Sequence, residues 1–310
     1  MLAAKLLRDQ DIEVLALFFE TPFFSSSKAI KSAQILNLPI KVVDISKKHL
    51  RVVKDPKHGY GNNMNPCIDC HALMFREAGG LLEKEGANFI ITGEVLGQRP
   101  MSQNRKSLSI VAFESGYQDL ILRPLSAGLL PVSIPEEKGW VKRDRLMCFS
   151  GRSRRPQMEL ARQLNIKKYP SPAGGCLLTD QVFSRRLKDL FSMRPLPDFH
   201  EIELLKLGRH FRIGPHTKVI VGRNKIENKA INAFKKTEDL LLIPASVPGP
   251  TAIVTGDLST ELEEQAASIT ISYSDAEDNK PTDVRSIRCG TERILKQKGL
   301  HKDKFKHLMI

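Results

Sequence analysis

A chain of 310 residues, 41% hydrophobic and 27% charged, is long enough for two domains with real cores and reads as soluble and globular. Its formal charge of +13 suits a polyanionic partner through counterion release and equally a merely basic solvated surface, and no apolar run reaches membrane-spanning length. Five cysteines without a small disulfide scaffold fit reduced thiols, and the absence of a signal-peptide pattern makes the cytoplasm the expected compartment.

The opening residues 1–8 pair Leu2 with Leu6 and Ala3 with Leu7, the spacing of a helix. The apolar run 12–19, bounded by Thr21-Pro22, predicts a strand buried on both faces. A helix over 27–36, a strand over 40–44, a helix over 70–85 and strands over 88–92 and 120–123 follow. Strands alternating with helices imply an α/β fold with a doubly wound parallel sheet. The chain begins inside a helix with no N-cap before it, so a first strand is expected upstream.

Gly, Pro and charge dominate 126–156, with a helix predicted over 157–164 and a Pro/Gly-rich loop over 169–175 that presents Cys176. A basic helix over 184–191 precedes Pro195-Leu196-Pro197, read as a domain boundary. Beyond it, β-like runs at 218–221 and 252–255, a turn at Gly222-Arg223-Asn224 and a helical stretch at 228–235 suggest a smaller α+β module. The expected organisation is a nucleotide-binding domain over 1–165, a linker carrying Cys176 over 166–197, an α+β domain over 198–275, and a basic, partly disordered tail over 276–310.

Cysteine spacing carries the chemistry. Cys67 and Cys70 form a Cys-x-x-Cys in Asn65-Pro66-Cys67-Ile68-Asp69-Cys70, and Cys176 stands far downstream in Pro172-Ala173-Gly174-Gly175-Cys176. Two close thiols and one distant one are a poor fit to a four-thiolate zinc site. They suit sulfur chemistry, or three-point ligation of a cluster that leaves one metal corner open. Packing or adventitious zinc is the bland alternative for the pair. Cys148 and Cys289 carry no motif.

Two blocks resemble the adenine-nucleotide alpha-hydrolase (PP-loop) domain of tRNA 4-thiouridine synthetases, whose fold is HUP/Rossmann-like. They are Phe18-Phe19-Glu20-Thr21-Pro22-Phe23-Phe24-Ser25-Ser26, and Thr92-Gly93-Glu94-Val95-Leu96-Gly97-Gln98 followed by Ser102-Gln103. The Asn65–Cys70 block is similar to the tRNA 2-thiouridylases. The resemblance covers roughly residues 1–190. It implies ATP with Mg2+, Phe18 and Phe19 near the adenine, and Gly93 and Gln103 lining the nucleotide pocket. Core packing is the plain alternative for the two phenylalanines. The family's Ser-Gly-Gly-x-Asp-Ser phosphate loop has no counterpart in the chain, and His71 stands where the synthetases tend to have Arg.

The resemblance further implies a two-step thiolation of a tRNA uridine, in which its carbonyl is adenylated and sulfur then displaces AMP. In one route Cys176 carries a persulfide that Cys70 attacks. In the other, Cys67, Cys70 and Cys176 hold a [4Fe–4S] cluster, a route favoured by the complete Cys-x-x-Cys. A cysteine desulfurase or sulfide would supply the sulfur. Residues 200–273 are similar to the RNA-binding module of the NFACT proteins, through the Val221–Asn228 block, Glu238-Asp239-Leu240-Leu241 and Val247-Pro248-Gly249-Pro250. This implies RNA contacts from Arg223, Asn224 and Asn228, while Leu241 and Leu242 replace the Trp and His frequent in that family. The rival expectation is a non-catalytic RNA-binding protein descended from a thiolation enzyme that lost its phosphate loop. An adenylating enzyme with a different second step is a third.

Overall fold

The computed structural model describes residues 1–169, 176–194 and 196–310, and the chain divides into two compact units, 1–180 and 181–310. No helix among the described residues is long and apolar enough to cross a membrane. Most of the expected loop at 169–175, and Pro195 of the expected boundary, lie outside the described residues.

The first unit contains α1 (Leu2–Arg8), β1 (Ala16–Glu20), α2 (Ser27–Ile35), β2 (Ile40–Asp44), α3 (Ser46–Lys54), α4 (Cys67–Gly79), β3 (Ile90–Ile91), α5 (Arg105–Ser115), β4 (Ile121–Leu122), α6 (Ile134–Glu137) and α7 (Arg155–Gln163). Strand β1 pairs with β2 in parallel, from Ala16 opposite Ile40 to Glu20 opposite Asp44. β3 pairs with β4 in parallel, Ile90 opposite Ile121. Parallel neighbours need long crossovers, and helices supply them here. Among the described residues hydrogen bonding leaves these as two separate two-stranded pairs, so the continuous doubly wound ladder expected from the sequence is not closed.

Local chemistry sets the ends of the elements. Pro66 immediately precedes α4, which therefore starts at Cys67, inside the cysteine motif. Asn104 caps α5 by accepting from the Ser107 amide, and Gly116, at φ 79°, ends it. Phe19, Ile45, Leu73, Phe75, Ile90, Val111 and Ile121 form one core beneath the strands.

The second unit contains α8 (Gln181–Met193), α9 (Phe199–Leu204), β5 (Arg209–Arg212), β6 (Lys218–Val221), α10 (Lys225–Ala233), β7 (Leu240–Pro244), β8 (Ala252–Thr255), α11 (Thr260–Ser272), β9 (Pro281–Arg288) and β10 (Thr291–Lys298). Its six strands form an antiparallel sheet in the order β10-β9-β7-β8-β6-β5. Period-two alternation divides its central strands between two cores. Val219, Val221, Leu240, Leu242, Ala252 and Val254 pack with Ala266, Ala267, Ile269 and Ile271 of α11. Ile220, Leu241 and Ile253 pack on the other side with Leu204 of α9 and Ile231 of α10.

Two sequence expectations are corrected. The tail at 276–310 is ordered: β9 and β10 make an eight-pair hairpin ladder that extends the sheet through β7. Backbone pairing and the burial of Val284 hold it, although β10 is polar in sequence. The domain boundary falls at 180/181, ahead of the Pro-Leu-Pro segment. Helix α8 belongs to the second unit because Asp189 pairs with Arg212 and Lys218, and Arg186 donates to the Leu205 and Gly208 carbonyls. Cys176 stays with the first unit.

Candidate functional site

Cys67 and Cys70 lie one turn apart at the start of α4, which puts them on one face of the helix. The segment carrying Cys176 reaches the same end of α4. The Met64 amide donates to the Leu178 carbonyl at 3.2 Å, and the Asn63 side-chain amide donates to the Thr179 carbonyl at 2.7 Å. The three thiols thereby become electrostatic neighbours. Burial raises the Cys70 thiol first, and the nearby Cys176, Cys67 and Asp69 raise it further. Burial also raises Cys67 and Cys176, while the Arg99 guanidinium opposes the rise at both.

Cys70 has a partner that sequence reasoning missed. His49 of α3 is fully buried, and its Nε2 lies 3.1 Å from the Cys70 Sγ. Phe23 and Phe24 approach the imidazole edge-on, with ring centroids at 5.6 and 5.5 Å. Burial in this aromatic setting lowers the His49 pKa to about 4, so the resting pair is a neutral thiol against a neutral imidazole. The His49 Nδ1 has no hydrogen-bond partner. No sequence signal marks His49, which sits in a basic helix, Lys47-Lys48-His49-Leu50. Among the described residues no group of three or more His, Cys, Asp or Glu side chains is arranged to hold a metal ion.

The expected nucleotide residues divide. Phe19 is buried in the core, whereas the adjacent Phe18 meets Phe24 edge-on at 6.3 Å. Consecutive residues of a strand face opposite ways, so the two rings do not make one wall. A Cβ on Gly93 would have nothing within 4 Å, leaving backbone open at the end of β3. Beyond it, the Ser102 Oγ and Gln103 Oε1 are buried without hydrogen-bond partners, an arrangement that fits a polar ligand donating to them. Glu94 is occupied: its carboxylate accepts from Arg123 Nε at 3.0 Å and pairs with His71 Nδ1 at 2.8 Å. Burial would raise this carboxyl, but His71 and Arg123 together hold it below the usual carboxylate range.

In the second unit the residues expected to contact RNA also make local bonds, with Arg223 and Asn224 exposed and Asn228 half-buried. Asn224 is the N-cap of α10, its Oδ1 accepting from the Ile226 and Glu227 amides at 3.0 Å. Arg223 folds onto Glu227 in a two-point ion pair. Asn228 packs against Gly222 so closely that a Cβ there would overlap its Oδ1. That Oδ1 is buried and unpartnered. Leu241 and Leu242 are core residues, at 3% and 0% exposure, and offer no stacking surface.

Comparison with known proteins identifies one domain. The family model described as the NFACT protein RNA binding domain matches residues 208–309, so this stretch is an NFACT-type RNA-binding domain. No curated protein matches the chain. Among solved structures, the C-terminal part of the fibronectin/fibrinogen-binding protein from Streptococcus suis is 15% identical over 78% of this chain and 94% of that one, with a TM-score of 0.31. A likeness that slight carries no argument.

Proposed function

We propose that this chain is an ATP-dependent tRNA sulfurtransferase, in which the first unit performs the chemistry and the RNA-binding domain at 208–309 engages the substrate. The observation that carries the reading is the meeting of Cys70, paired with His49, with Cys176 and Cys67 on a chain that also bears an RNA-binding domain. A thiol within hydrogen-bond reach of an imidazole that can take its proton is the arrangement that covalent sulfur chemistry needs. The doubly wound sheet belongs to the same proposal, with the two parallel pairs and their helical crossovers as its elements.

The persulfide route is favoured because the Cys70 Sγ is already committed to a proton partner. A cysteine desulfurase or another persulfide donor would load Cys176. The Cys70 proton passes to His49 Nε2 as the thiolate attacks the Cys176-bound sulfur of the persulfide. A Cys70–Cys176 disulfide forms, the persulfide S–S bond breaks, and sulfide leaves with the electron pair. Arg99 favours negative charge at Cys67 and Cys176. An external dithiol then reduces the disulfide. ATP, with Mg2+, would adenylate the uridine carbonyl oxygen with release of pyrophosphate, so that sulfide attacking the carbon displaces AMP. The open backbone at Gly93 and the unpartnered atoms of Ser102 and Gln103 would hold the nucleotide.

The test is sulfur incorporation into a tRNA transcript in the presence of ATP, Mg2+ and a persulfide-loaded cysteine desulfurase, read by mass spectrometry of nucleosides. Thiouridine should form with the wild type and with Cys67→Ala, and should vanish with Cys70→Ala and with Cys176→Ala. Equal loss in all three variants, with iron bound to the wild type, would instead favour the cluster route. A protein that binds tRNA and incorporates no sulfur would support the non-catalytic RNA-binding reading.

A further inference from the structure

In the Gly-Arg-Asn turn, exposed at Arg223 and Asn224, the Asn224 Oδ1 caps α10 and Arg223 pairs with Glu227, and the unit offers RNA a second surface besides it. One place in that unit surrounds an aromatic ring with cations. Tyr273, the C-cap residue of α11, is half-buried. The Arg209 guanidinium, at the start of β5, lies 4.8 Å from its ring centroid. The Lys302 ammonium, from the final turn 302–308, lies 5.5 Å from it. Lys306 is near enough for its charge to act on the phenol.

Three segments remote in sequence build this cluster, and each is anchored. The Tyr273 ring tilts on Phe211, which is fully buried, with centroids 5.7 Å apart. The final turn is fixed by the buried Phe305 and by backbone pairing of Ile310 with His210. The carboxylate that acts on the phenol, Asp303, is engaged by Lys306 at 2.6 Å and by His301 at 3.6 Å. Among the described residues neither Arg209 nor Lys302 makes an ion pair, and neither donates to the last carbonyls of α11. A cation held over an aromatic face keeps its N–H donors free, because the ring interacts with its charge and leaves the hydrogen-bond directions open. A guanidinium so stacked presents a fork that matches phosphate.

We propose that Arg209, Lys302 and Tyr273 form the contact through which this domain grips the RNA backbone, with the tyrosine ring taking an adjacent base once Lys302 swings to phosphate. The site rests on the RNA-binding reading of the same domain. Its components separate in salt dependence. Cation–phosphate contacts release counterions and steepen the fall of affinity with salt, whereas stacking does not.

The experiment measures binding of an unmodified tRNA transcript to the full chain over a salt series. Arg209→Ala with Lys302→Ala should weaken binding about tenfold and flatten the log–log salt slope by about two. Lys302→Ala alone, at an exposed position, should flatten it by about one even if the Arg209 change disturbs packing. Tyr273→Leu should weaken binding with the slope unchanged. A charge-matched control, Lys225→Ala with Lys229→Ala on exposed positions of α10, should stay near the wild-type slope. An equal effect of the two double variants would overturn the site in favour of diffuse charge, as would wild-type behaviour of Lys302→Ala and Tyr273→Leu together. A wild type that fails to bind the transcript at low salt would overturn the RNA reading and this site with it.

Discussion

The two units treat their motifs in opposite ways. In the first, Cys70 and Cys176 are remote in sequence and come together at the start of α4, where the charge of Cys176 bears on the buried Cys70 thiol. In the second, Arg223, Asn224 and Asn228 are near neighbours in sequence, and folding gives each a local role: a cap, an ion pair to the first turn of α10 and a buried amide oxygen. Adjacency in a motif therefore says little about availability. What decides is whether local backbone groups need the side chain more than a ligand does. A helix N-terminus has unsatisfied amides, and an Asn or Asp beside it is consumed in capping. Cys67, Cys70 and Cys176 answer no such demand from a helix end; none is in a disulfide, and Cys70 meets His49 of another helix.

The comparison is sharpened most strongly by removing a buried charge from the first unit. Arg123 and Glu94 are 8% and 4% exposed, and Arg123→Met leaves Glu94 with His71 alone. Losing one partner of a buried pair should cost about 3–5 kcal/mol, measured by chemical denaturation at neutral pH. The pH dependence has a definite sign. The folded Glu94 carboxyl lies below its unfolded value, so its contribution is present above the unfolded value and lost as pH falls through the folded one. Without Arg123, burial dominates and the carboxyl rises. Acid unfolding of the variant should therefore begin at higher pH than in the wild type. An unchanged acid limb would mean that His71 alone sustains the carboxylate.

Much of this architecture was legible where local chemistry dictates it. The strand expected over 12–19 is observed at Ala16–Glu20 and only half-buried, while Ile40–Asp44 is a strand as expected, and the two pair in parallel. Lys218–Val221 and Ala252–Thr255 were visible as strands because a sheet covered on both faces needs continuous apolar runs. The β9–β10 hairpin was not. Thr291–Lys298 is charged along its length, and its two-residue turn is Cys289-Gly290, at φ 50° and 79°, in place of the usual Asn-Gly. A polar strand on the edge of a sheet gains its order from the ladder, which no local pattern reports. His49 was illegible for a related reason. Only the packing of α3 against α4 brings its imidazole to Cys70, and a lone histidine in a basic helix carries no signature.

A smaller effect tests the close packing of the RNA-domain turn. Gly222→Ala drives a methyl into the Asn228 Oδ1, an atom that already lacks a hydrogen bond. The variant should lose about 1–3 kcal/mol in urea unfolding, the range for overpacking a tight site. Asn228→Ala removes the obstacle, so the double variant should recover a large part of that loss. The coupling energy should fall within the 0.5–3 kcal/mol, roughly, found for residues in contact. Additive losses would mean that the glycine is needed for its backbone rather than for its lack of a side chain.

The smallest effect probes whether Asn224 belongs to the fold or to the ligand. Its Oδ1 accepts two amides at the start of α10, so Asn224→Ala should lower stability by about 1 kcal/mol, and Asn224→Asp should be nearly neutral because aspartate caps as well. The same pair of variants reads its role toward RNA. If capping is the whole of its function, tRNA affinity under conditions where both variants are fully folded should match the wild type for Ala, and fall only slightly for Asp through the added negative charge. If the amide instead reads a base edge, the Ala variant should lose affinity even when folded. The Asp variant would then lose more, because a carboxylate cannot supply the amide's N–H donors. Urea unfolding and filter binding on the same two proteins separate the outcomes, since the cap acts on the first measurement and a base contact on the second.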